Sequence, residues 1–317
     1  MRGKIVVITG GAGFIGSNLA DALSHDNNVV VVDNLSTGRL ENIKPLIKAR
    51  KIKFVKGDIL NLKLMKRVCR NADVLYHYAA LPSVVMSVKD PLSTNRSGID
   101  AILTSLVVAR DVGIEKVVYA SSSAVYGDTR SLPIPEDAPM KPLSPYAVTK
   151  IAGERYCELF TELYGLETVS LRYFNVYGPR QDPESEYAAV IPRFITNALG
   201  GRRLTIYGDG KQTRDFLYVG DVVQANVLAA KSGVKGVFNI SSGRSVSIDS
   251  LAHIVQLLTG AHAPIVHSSP RSGEILRSHA DISKAVKELG FSPSYTLEDG
   301  LQKTISSYGL TKARKKR

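Results

Sequence analysis

A tyrosine and a lysine four residues apart, Tyr146 and Lys150 in the stretch SPYAVTK, are the side chains of this chain best suited to move a proton. On a helix, residues four apart lie one turn from each other on the same face. A neighbouring ammonium stabilises a phenolate, so we expect Lys150 to lower the pKa of Tyr146 and to make it a usable base. The spacing alone is common on amphipathic helices, where such side chains are usually packed or solvated. Whether Tyr146 and Lys150 have a catalytic role therefore depends on the structural elements around them.

The first of these elements is a glycine-rich turn near residue 10. A strand-like run, KIVVIT, passes into Gly10, Gly13 and Gly16 of GGAGFIG and then into the helical pattern SNLADAL. In such a turn one glycine permits the tight bend, one lets backbone amides approach a pyrophosphate, and one lets helix and strand pack closely. A second apolar strand, residues 29–32, ends at Asp33, seventeen residues after Gly16. A carboxylate there accepts hydrogen bonds from an adenosine ribose and repels a 2′-phosphate, which favours NAD over NADP.

The first half of the chain alternates strand patterns with helical ones. Strand-like runs, IKFVKGDI, ADVLYHYAAL, KVVYASSS and LETVSLRYFNV, flank predicted helices near residues 95–112 and 144–165. This alternation predicts an α/β, Rossmann-type doubly wound parallel sheet with ligands at the carboxyl ends of its strands. We assign residues 1–175 to an NAD-binding domain with the catalytic Ser/Tyr/Lys group, and residues 176–310 mainly to a smaller C-terminal substrate-binding α/β region, with the chain crossing back between them. Residues 311–317 are expected to form a disordered basic tail.

The composition is that of an ordinary globular protein with room for a large core, since 44% of its 317 residues are hydrophobic. No run of 18 apolar residues and no signal-peptide pattern is present, so a cytoplasmic protein without a membrane partner is expected. The two cysteines lack metal or CxxC spacing and the six histidines are scattered, so no metal site is predicted. The net charge of +12 suits a polyanion and an anionic small molecule equally, and does not discriminate between them.

These motifs together resemble those of the extended short-chain dehydrogenase/reductases, and among them the UDP-sugar 4-epimerases. The resemblance covers nearly the whole chain and rests on GGAGFIGSN, DNLSTG, GDI, AAL, SSSAVYGD, SPYAVTK, LRYFNVYGPRQ and TRDFLYV, in that order. It implies NAD as the cofactor and a UDP-sugar as the substrate, no nucleic-acid partner, and a homodimer formed through two helices per subunit, including the helix that bears Tyr146. The cofactor contacts implied by the glycine turn and by the resemblance are Gly10, Gly13, Phe14, Ile15, Gly16, Asp33, Asn34, Asp58, Ile59, Ala79, Asn95, Tyr146, Lys150 and Phe174.

The same resemblance implies which residues hold the substrate. Arg214 and Arg271 are expected to pair with the diphosphate as bidentate donors, and Glu274 to lie near the nucleotide ribose. Ser278 falls where a bulky Tyr restricts some epimerases to glucose and galactose nucleotides, so the small side chain leaves room for an N-acetyl group. One departure is Pro82, which stands where many galactose-type epimerases carry a Lys that contacts cofactor phosphate. The implied substrate contacts are Ser122, Ser123, Tyr146, Asn175, Ala189, Val190, Tyr207, Arg214, Arg271, Glu274 and Ser278.

The chemistry implied is a reversible oxidation at carbon-4 of the sugar. Tyr146 takes the proton of the sugar hydroxyl, Lys150 stabilises the resulting tyrosinate, and a serine shares the proton. The related enzymes place this serine four residues before Tyr126, which selects Ser122, and Ser123 stays open as the alternative. The expected catalytic residues are therefore Ser122, Ser123, Tyr146 and Lys150.

The residue after the serines narrows the reaction. Ala124 stands where the resemblance places an Asp-Glu pair in sugar-nucleotide dehydratases and a Glu in UDP-glucuronate decarboxylases. Without that carboxylate, simple epimerisation is favoured over the elimination of water. The favoured substrates are UDP-N-acetylglucosamine and UDP-N-acetylgalactosamine, with UDP-glucose and UDP-galactose as further substrates. The alternatives are a UDP-glucuronate 4-epimerase or decarboxylase, and a non-catalytic nucleic-acid-binding member of the fold.

Overall fold

The computed structural model describes residues 1–129, 131–183, 189–231, 233–270 and 275–315, with side chains up to residue 309. Its strands, numbered β1 to β13 along the chain, are Ile5–Thr9, Asn28–Asp33, Ile52–Lys56, Val74–His77, Lys116–Ser122, Glu167–Tyr173, Val176–Tyr177, Leu204–Tyr207, Thr213–Arg214, Leu217–Tyr218, Gly236–Ile240, Val246–Ser247 and Ile265–Ser268. Its helices, numbered α1 to α11, are Phe14–Leu23, Leu40–Lys48, Leu62–Cys69, Val84–Lys89, Pro91–Asn95, Ala101–Val112, Pro145–Tyr164, Val190–Leu199, Val219–Ala229, Ile248–Thr259 and Leu297–Lys315. None of the described helices combines the length and the apolarity that a membrane-spanning helix needs.

Seven parallel strands form the central sheet, in the order β3, β2, β1, β4, β5, β6 and β11. Thr9 at the end of β1 lies opposite Val32 of β2 and His77 of β4. The carboxyl ends of these strands therefore meet at one edge of the sheet, where the following loops converge. This arrangement confirms the predicted Rossmann-type fold. The strand β11 pairs with β6, so the chain returns to the central sheet long after residue 175.

Apolar side chains of the strands alternate between the two faces of the sheet. On β1, Val6 and Ile8 pack in a cluster with α1, α2 and α9, whereas Val7 packs in a second cluster with α3, α6 and α7. Each of these side chains is fully buried, and such burial contributes about 1.5–3 kcal/mol per side chain. Helices packed on both faces therefore hold the sheet in place, including the edge at the carboxyl ends of the strands, where the loops carry polar residues.

The residues after β7 form a smaller layer with a cluster of its own. Phe194 of α8, Leu251 and Val255 of α10 and Leu301 of α11 pack together there. The strands are short: β8 pairs with β13 in parallel and β9 with β12 antiparallel. This layer lies where the sequence predicts the substrate-binding region, and the boundary at residue 175 stays a prediction.

The helix predicted near residues 95–112 is divided into two. The helix α5 ends at Asn95, and a π-helical turn, Arg96–Asp100, leads into α6. Gly98 in this turn packs closely on α7, because a Cβ added there would lie 2.6 Å from the Cβ of Thr149. The turn is therefore held against the helix that bears Tyr146.

The predicted disordered tail is wrong for its residues up to Lys315. The helix α11 continues to that residue, so the backbone of residues 311–315 is helical. Lysine and arginine are good helix formers and are favoured at a helix C-terminus, where their charge complements the helix dipole.

Candidate active site

The glycine turn brings the N-terminus of α1 to the edge of the sheet. Gly10 has a φ of 67°, and a Cβ on it would lie 2.6 Å from the backbone nitrogen of Ala79. A Cβ on Gly16 would lie 2.5 Å from the carbonyl oxygen of Gly10. The N-cap of α1 is Gly13, which supplies no side-chain cap, and the first turn carries no acidic residue. The amides at this end of the helix are therefore positioned for an anion such as a pyrophosphate.

Asp33 links the end of β2 to the glycine turn. Its carboxylate accepts hydrogen bonds from the backbone nitrogens of Ala12, at 3.0 Å, and Leu35, at 2.8 Å. A Cβ on Gly38 would lie 2.8 Å from both carboxylate oxygens, so the next loop approaches Asp33 closely. An ionised carboxylate has about four acceptor sites, and the backbone takes two of them. The remaining sites suit the ribose hydroxyls that the sequence predicts.

A cavity of about 610 Å³ runs along the edge of the sheet from the Asp33 loop to Tyr146. It contains twelve of the fourteen predicted cofactor contacts: Gly10, Gly13, Phe14, Ile15, Gly16, Asp33, Asn34, Asp58, Ile59, Ala79, Tyr146 and Lys150. Its shape, its glycine turn and its terminal carboxylate fit a dinucleotide. Within the described residues, no cluster of His, Cys, Asp and Glu side chains could hold a metal ion.

Two predicted cofactor contacts, Asn95 and Phe174, are not among the described residues that line this cavity. Phe174 is fully buried against Val125 and Tyr126, and its neighbour Tyr173 lines the cavity instead. The structure therefore does not support direct cofactor contact by Phe174, because strand β6 directs the adjacent side chain to the cavity.

Asn95 is replaced at the cavity wall by its neighbours. Ser93, Arg96 and Ser97 line the cavity, at the i, i+3, i+4 spacing of one helix face, and Asn95 lies off that face. Arg96 in particular was not found from the sequence, because the register of α5 and the π-helical turn decides which side chain faces the ligand.

Tyr146 and Lys150 line the cavity, whereas the predicted Ser122 and Ser123 are not among its described lining residues. Ser144 caps α7 by accepting a hydrogen bond from the backbone nitrogen of Ala147, and Tyr146 lies in the first turn. The Ser122 side chain lies beside the phenol of Tyr146, close enough to lower its pKa. Lys150 donates to the carbonyl oxygen of Ala120 at 2.7 Å, and its Nζ lies 5.6 Å from the centre of the Tyr146 ring.

The three serines have different partners. Ser121 is buried and donates to Glu154, whereas the Ser122 oxygen also accepts a 3.2 Å hydrogen bond from the backbone nitrogen of Ala124. Ser123 begins a 3₁₀ turn that ends at Tyr126. Of the two predicted serines, the geometry favours Ser122 as the one beside the phenol.

Burial sets the protonation states of these groups. It lowers the pKa of Lys150 to about 8, against the opposing charge of Glu154. It raises the pKa of Tyr146 above its ordinary value, and the neighbouring Ser122 side chain lowers that pKa only in part. The expected lowering of the phenol pKa by Lys150 is therefore not met by the polypeptide alone, because desolvation outweighs the pair and the ammonium is directed at Ala120. A further positive charge beside the ring is needed to favour the phenolate.

A buried ion pair that was not predicted from the sequence lies close to this group. Arg172 of β6 donates to both carboxylate oxygens of Glu154, at 2.9 and 2.7 Å, and both side chains are almost fully buried. Arg172 also donates to the Tyr126 hydroxyl at 2.7 Å, and Glu154 accepts from Ser121. The spacing of Tyr146, Lys150 and Glu154, each four residues from the last on α7, was the signal in the sequence that places Glu154 on the catalytic face.

A second cavity, of about 350 Å³, lies in the smaller layer. It contains five of the predicted substrate contacts: Asn175, Ala189, Val190, Tyr207 and Arg214. Arg193 and Gln212 also line it and were not found from the sequence, although Arg193 follows Val190 by three residues on α8. Ser278 does not line it, but its backbone nitrogen donates to the carbonyl oxygen of Thr213, beside Arg214. Arg271 and Glu274 lie outside the described residues.

A short segment, residues 178–183, joins the smaller layer to the glycine-turn helix. Arg180 has a φ of 69° and donates to the carbonyl oxygen of Ser17 at 2.7 Å. It also forms an ion pair with Asp21, and Asn18 donates to the carbonyl oxygen of Pro179 at 3.0 Å. All three partners lie on α1, so this strap ties the chain leading to the second cavity to the helix at the first.

Residues 6–241 match the family model described as the NAD dependent epimerase/dehydratase family. A curated UDP-glucose 4-epimerase from Mycolicibacterium smegmatis is 39% identical over 306 residues, which cover 95% of this chain and 97% of the relative.

Two solved structures extend the comparison over nearly the whole fold. The UDP-N-acetylglucosamine 4-epimerase from Methanobrevibacter ruminantium M1, in complex with UDP-N-acetylmuramic acid, is 41% identical with a TM-score of 0.95, and the match covers 98% of this chain and 100% of that one. The UDP-glucose 4-epimerase from Thermus thermophilus, in complex with NAD, is 34% identical with a TM-score of 0.87, and the match covers 96% and 99% of the two chains.

Proposed function

The chain belongs to the NAD-dependent epimerase/dehydratase family, and from this premise we propose that it inverts carbon-4 of a UDP-hexose through a 4-keto intermediate. The observation that carries the proposal is the placement of Tyr146 and Lys150 in the lining of the larger cavity, with Ser122 beside the phenol. Bound NAD supplies the reversible two-electron oxidation and reduction. The side chains of this chain supply the proton transfers.

Tyr146 acts as the base toward the sugar 4-hydroxyl and later returns the proton as the acid. Ser122 holds the phenol and the hydroxyl in line, because its own oxygen is fixed by the backbone nitrogen of Ala124. Lys150 is anchored by Ala120 and keeps a positive charge near the ring. The 4-keto sugar has to present its opposite face before reduction, so the sugar must turn while the nucleotide stays held in the second cavity.

No carboxylate of the described cavity lining lies beside Tyr146 to carry out acid-base steps beyond this proton transfer. The acids that line the larger cavity within the described residues are Asp33 and Asp58, and both lie at its far end with the predicted adenosine site. The described lining of the second cavity contains no acid. Together with Ala124, this favours epimerisation over dehydration.

We propose UDP-N-acetylglucosamine and UDP-N-acetylgalactosamine as the preferred pair, with UDP-glucose and UDP-galactose as further substrates. The support is the small side chain of Ser278, adjacent to the segment that carries Arg214, and the likeness to the Methanobrevibacter ruminantium enzyme. UDP-glucuronate is the alternative substrate, for epimerisation or decarboxylation. In the second cavity, Arg214 is proposed to bind the substrate diphosphate.

A homodimer is the proposed assembly, with α7 at the interface. Val148, Leu159 and Leu163 on this helix are 45–68% exposed, so the helix has apolar surface that a partner could cover. A second copy would cover them, in keeping with the homodimer through this helix that the family resemblance implies. Light scattering on the purified protein tests this, since a monomer at micromolar concentration would contradict it.

Incubation of the purified protein with UDP-N-acetylglucosamine tests the proposed activity. Chromatography should reveal UDP-N-acetylgalactosamine, with no lasting absorbance from NADH. A parallel incubation with UDP-glucuronate should release no carbon dioxide. Folded, NAD-loaded protein that converts no UDP-hexose in either direction would refute the proposal, and carbon dioxide release would replace it with decarboxylation.

A further inference from the structure

Arg96 lines the larger cavity, which is also lined by the glycine turn and by Tyr146 and Lys150. Together with Ser93 and Ser97 it forms one helix face directed at the cavity, although neither the glycine turn nor the catalytic motif includes it. The backbone just after Arg96 lies against the catalytic helix, because a Cβ on Gly98 would be 2.6 Å from the Cβ of Thr149. A π-helical turn starts at Arg96, and such turns often occur where a helix adapts to a functional site.

The charges that line this cavity have partners, with Arg96 as the exception. Asp33 accepts two backbone hydrogen bonds, and Asp58 accepts one from the backbone nitrogen of Leu60. Lys150 donates to Ala120. The guanidinium of Arg96 has no side-chain hydrogen bond or ion pair with any residue that the structure describes. It is therefore the cation of this lining that is available to a ligand.

The ligand chemistry that fits this cation is a diphosphate. The backbone amides of the glycine turn can satisfy some phosphate oxygens, but they carry only partial charge. A diphosphate brings two full negative charges into a cavity whose described lining side chains have no net charge, since two acids balance two bases. An arginine matches phosphate oxygens with paired N–H donors.

We propose that Arg96 binds the diphosphate of NAD and is a cofactor-retention residue of this enzyme. Its hydrogen-bond donors complement the amides of the glycine turn, so the diphosphate is held by backbone dipoles and by one full charge. The diphosphate of the substrate is held separately, because Arg214 and Arg193 line the other cavity.

Arg96→Met tests this, because it removes the charge and keeps much of the aliphatic stem. Arg67→Met is the matched control: Arg67 is also an exposed helical arginine, on α3, and it does not line the cavity. Binding is measured by isothermal titration of nucleotide-free protein with NAD, with adenosine and with UDP, at low and at moderate salt. Circular dichroism and urea unfolding establish that each variant is folded.

Arg96→Met should weaken NAD binding about tenfold, as expected for a hydrogen bond to a charged group, and should flatten its salt dependence. Binding of adenosine and UDP should be unchanged, Arg67→Met should match the parent protein, and Arg96→Lys should recover part of the affinity. Unchanged NAD affinity overturns the proposal. If Arg96→Met weakens adenosine binding as much as NAD binding, the proposal is overturned in favour of stacking of Arg96 on the adenine. If Arg96→Met weakens UDP binding alone, the proposal is overturned in favour of a contact between Arg96 and the substrate diphosphate.

Discussion

The buried ion pair of Arg172 and Glu154 gives a prediction whose size follows from its burial. Both oxygens of the carboxylate accept from the guanidinium, and the two side chains are 2% and 1% exposed. Arg172→Met leaves the Glu154 carboxylate buried with Ser121 as its one described side-chain donor. Removal of one partner from a buried pair costs about 3–5 kcal/mol of the free energy of unfolding.

The control ion pair lies on α7, the helix that bears Glu154. Arg155 forms an ion pair with Glu158 at 2.6 Å, but the two side chains are 61% and 36% exposed. Because solvent screens such a pair, Arg155→Met should cost less than about 1 kcal/mol. Urea unfolding of both variants, at one protein concentration and in the presence of saturating NAD, gives the two free energies.

A double variant separates the loss of the pair from the burial of an unpaired charge. Arg172→Met combined with Glu154→Gln leaves no charge at the site, so its loss should be smaller than the sum of the two single losses. Equal losses for Arg172→Met and Arg155→Met would show that burial does not set the strength of these ion pairs. Strictly additive losses in the double variant would also contradict this prediction.

The remaining predictions concern single side chains of the two cavities. Tyr146→Phe should lower turnover at least about 100-fold while NAD content stays at the parent level, since it removes the proton carrier; near-parental turnover would rule out that role. In NAD-free protein the ¹³Cε resonance of Lys150 should titrate near pH 8, because burial lowers the pKa of the amine from 10.5 to about 8. The amine is therefore charged below pH 8 and neutral above it. A titration midpoint near pH 10.5 would contradict this. Arg180→Met should speed NAD release in a chase experiment by about fivefold. This corresponds to roughly 1 kcal/mol for the partly exposed ion pair of Arg180 with Asp21. An unchanged release rate would show that the strap does not retain NAD. Ser278→Tyr should reduce activity on UDP-N-acetylglucosamine more than on UDP-glucose, and equal losses would undo the steric argument.

The parts of the site that follow from short stretches of sequence are the ones that the sequence predicts. The glycine turn needs a strand, glycines at fixed spacing and a helix, all within residues 4–23, and Tyr146 and Lys150 share one helix. In each case local geometry determines which atoms meet. The parallel sheet with helices on both faces also follows, because strand patterns alternate with helical ones in the first half of the chain.

The parts that depend on register were not predictable from one sequence. Asn95 and Arg96 are neighbours, and the π-helical turn that directs Arg96 to the cavity reflects the close packing of Gly98 on α7. The central strand β6 is buried on both faces, so its hydrophobic pattern does not show whether Tyr173 or Phe174 faces the ligand. The contact of Arg172 with Glu154 joins a strand to a helix and requires the assembled fold.

The hydrogen on carbon-4 of the sugar gives the most direct test of inversion through a 4-keto intermediate. UDP-N-acetylglucosamine carrying deuterium at carbon-4 is incubated with the NAD-loaded protein in ordinary water, and the product is analysed by NMR. A hydrogen that leaves and returns within one closed site should stay with the sugar, so we expect UDP-N-acetylgalactosamine with deuterium retained at carbon-4. Product whose carbon-4 carries hydrogen from the solvent, or no inverted product at all, would contradict this expectation.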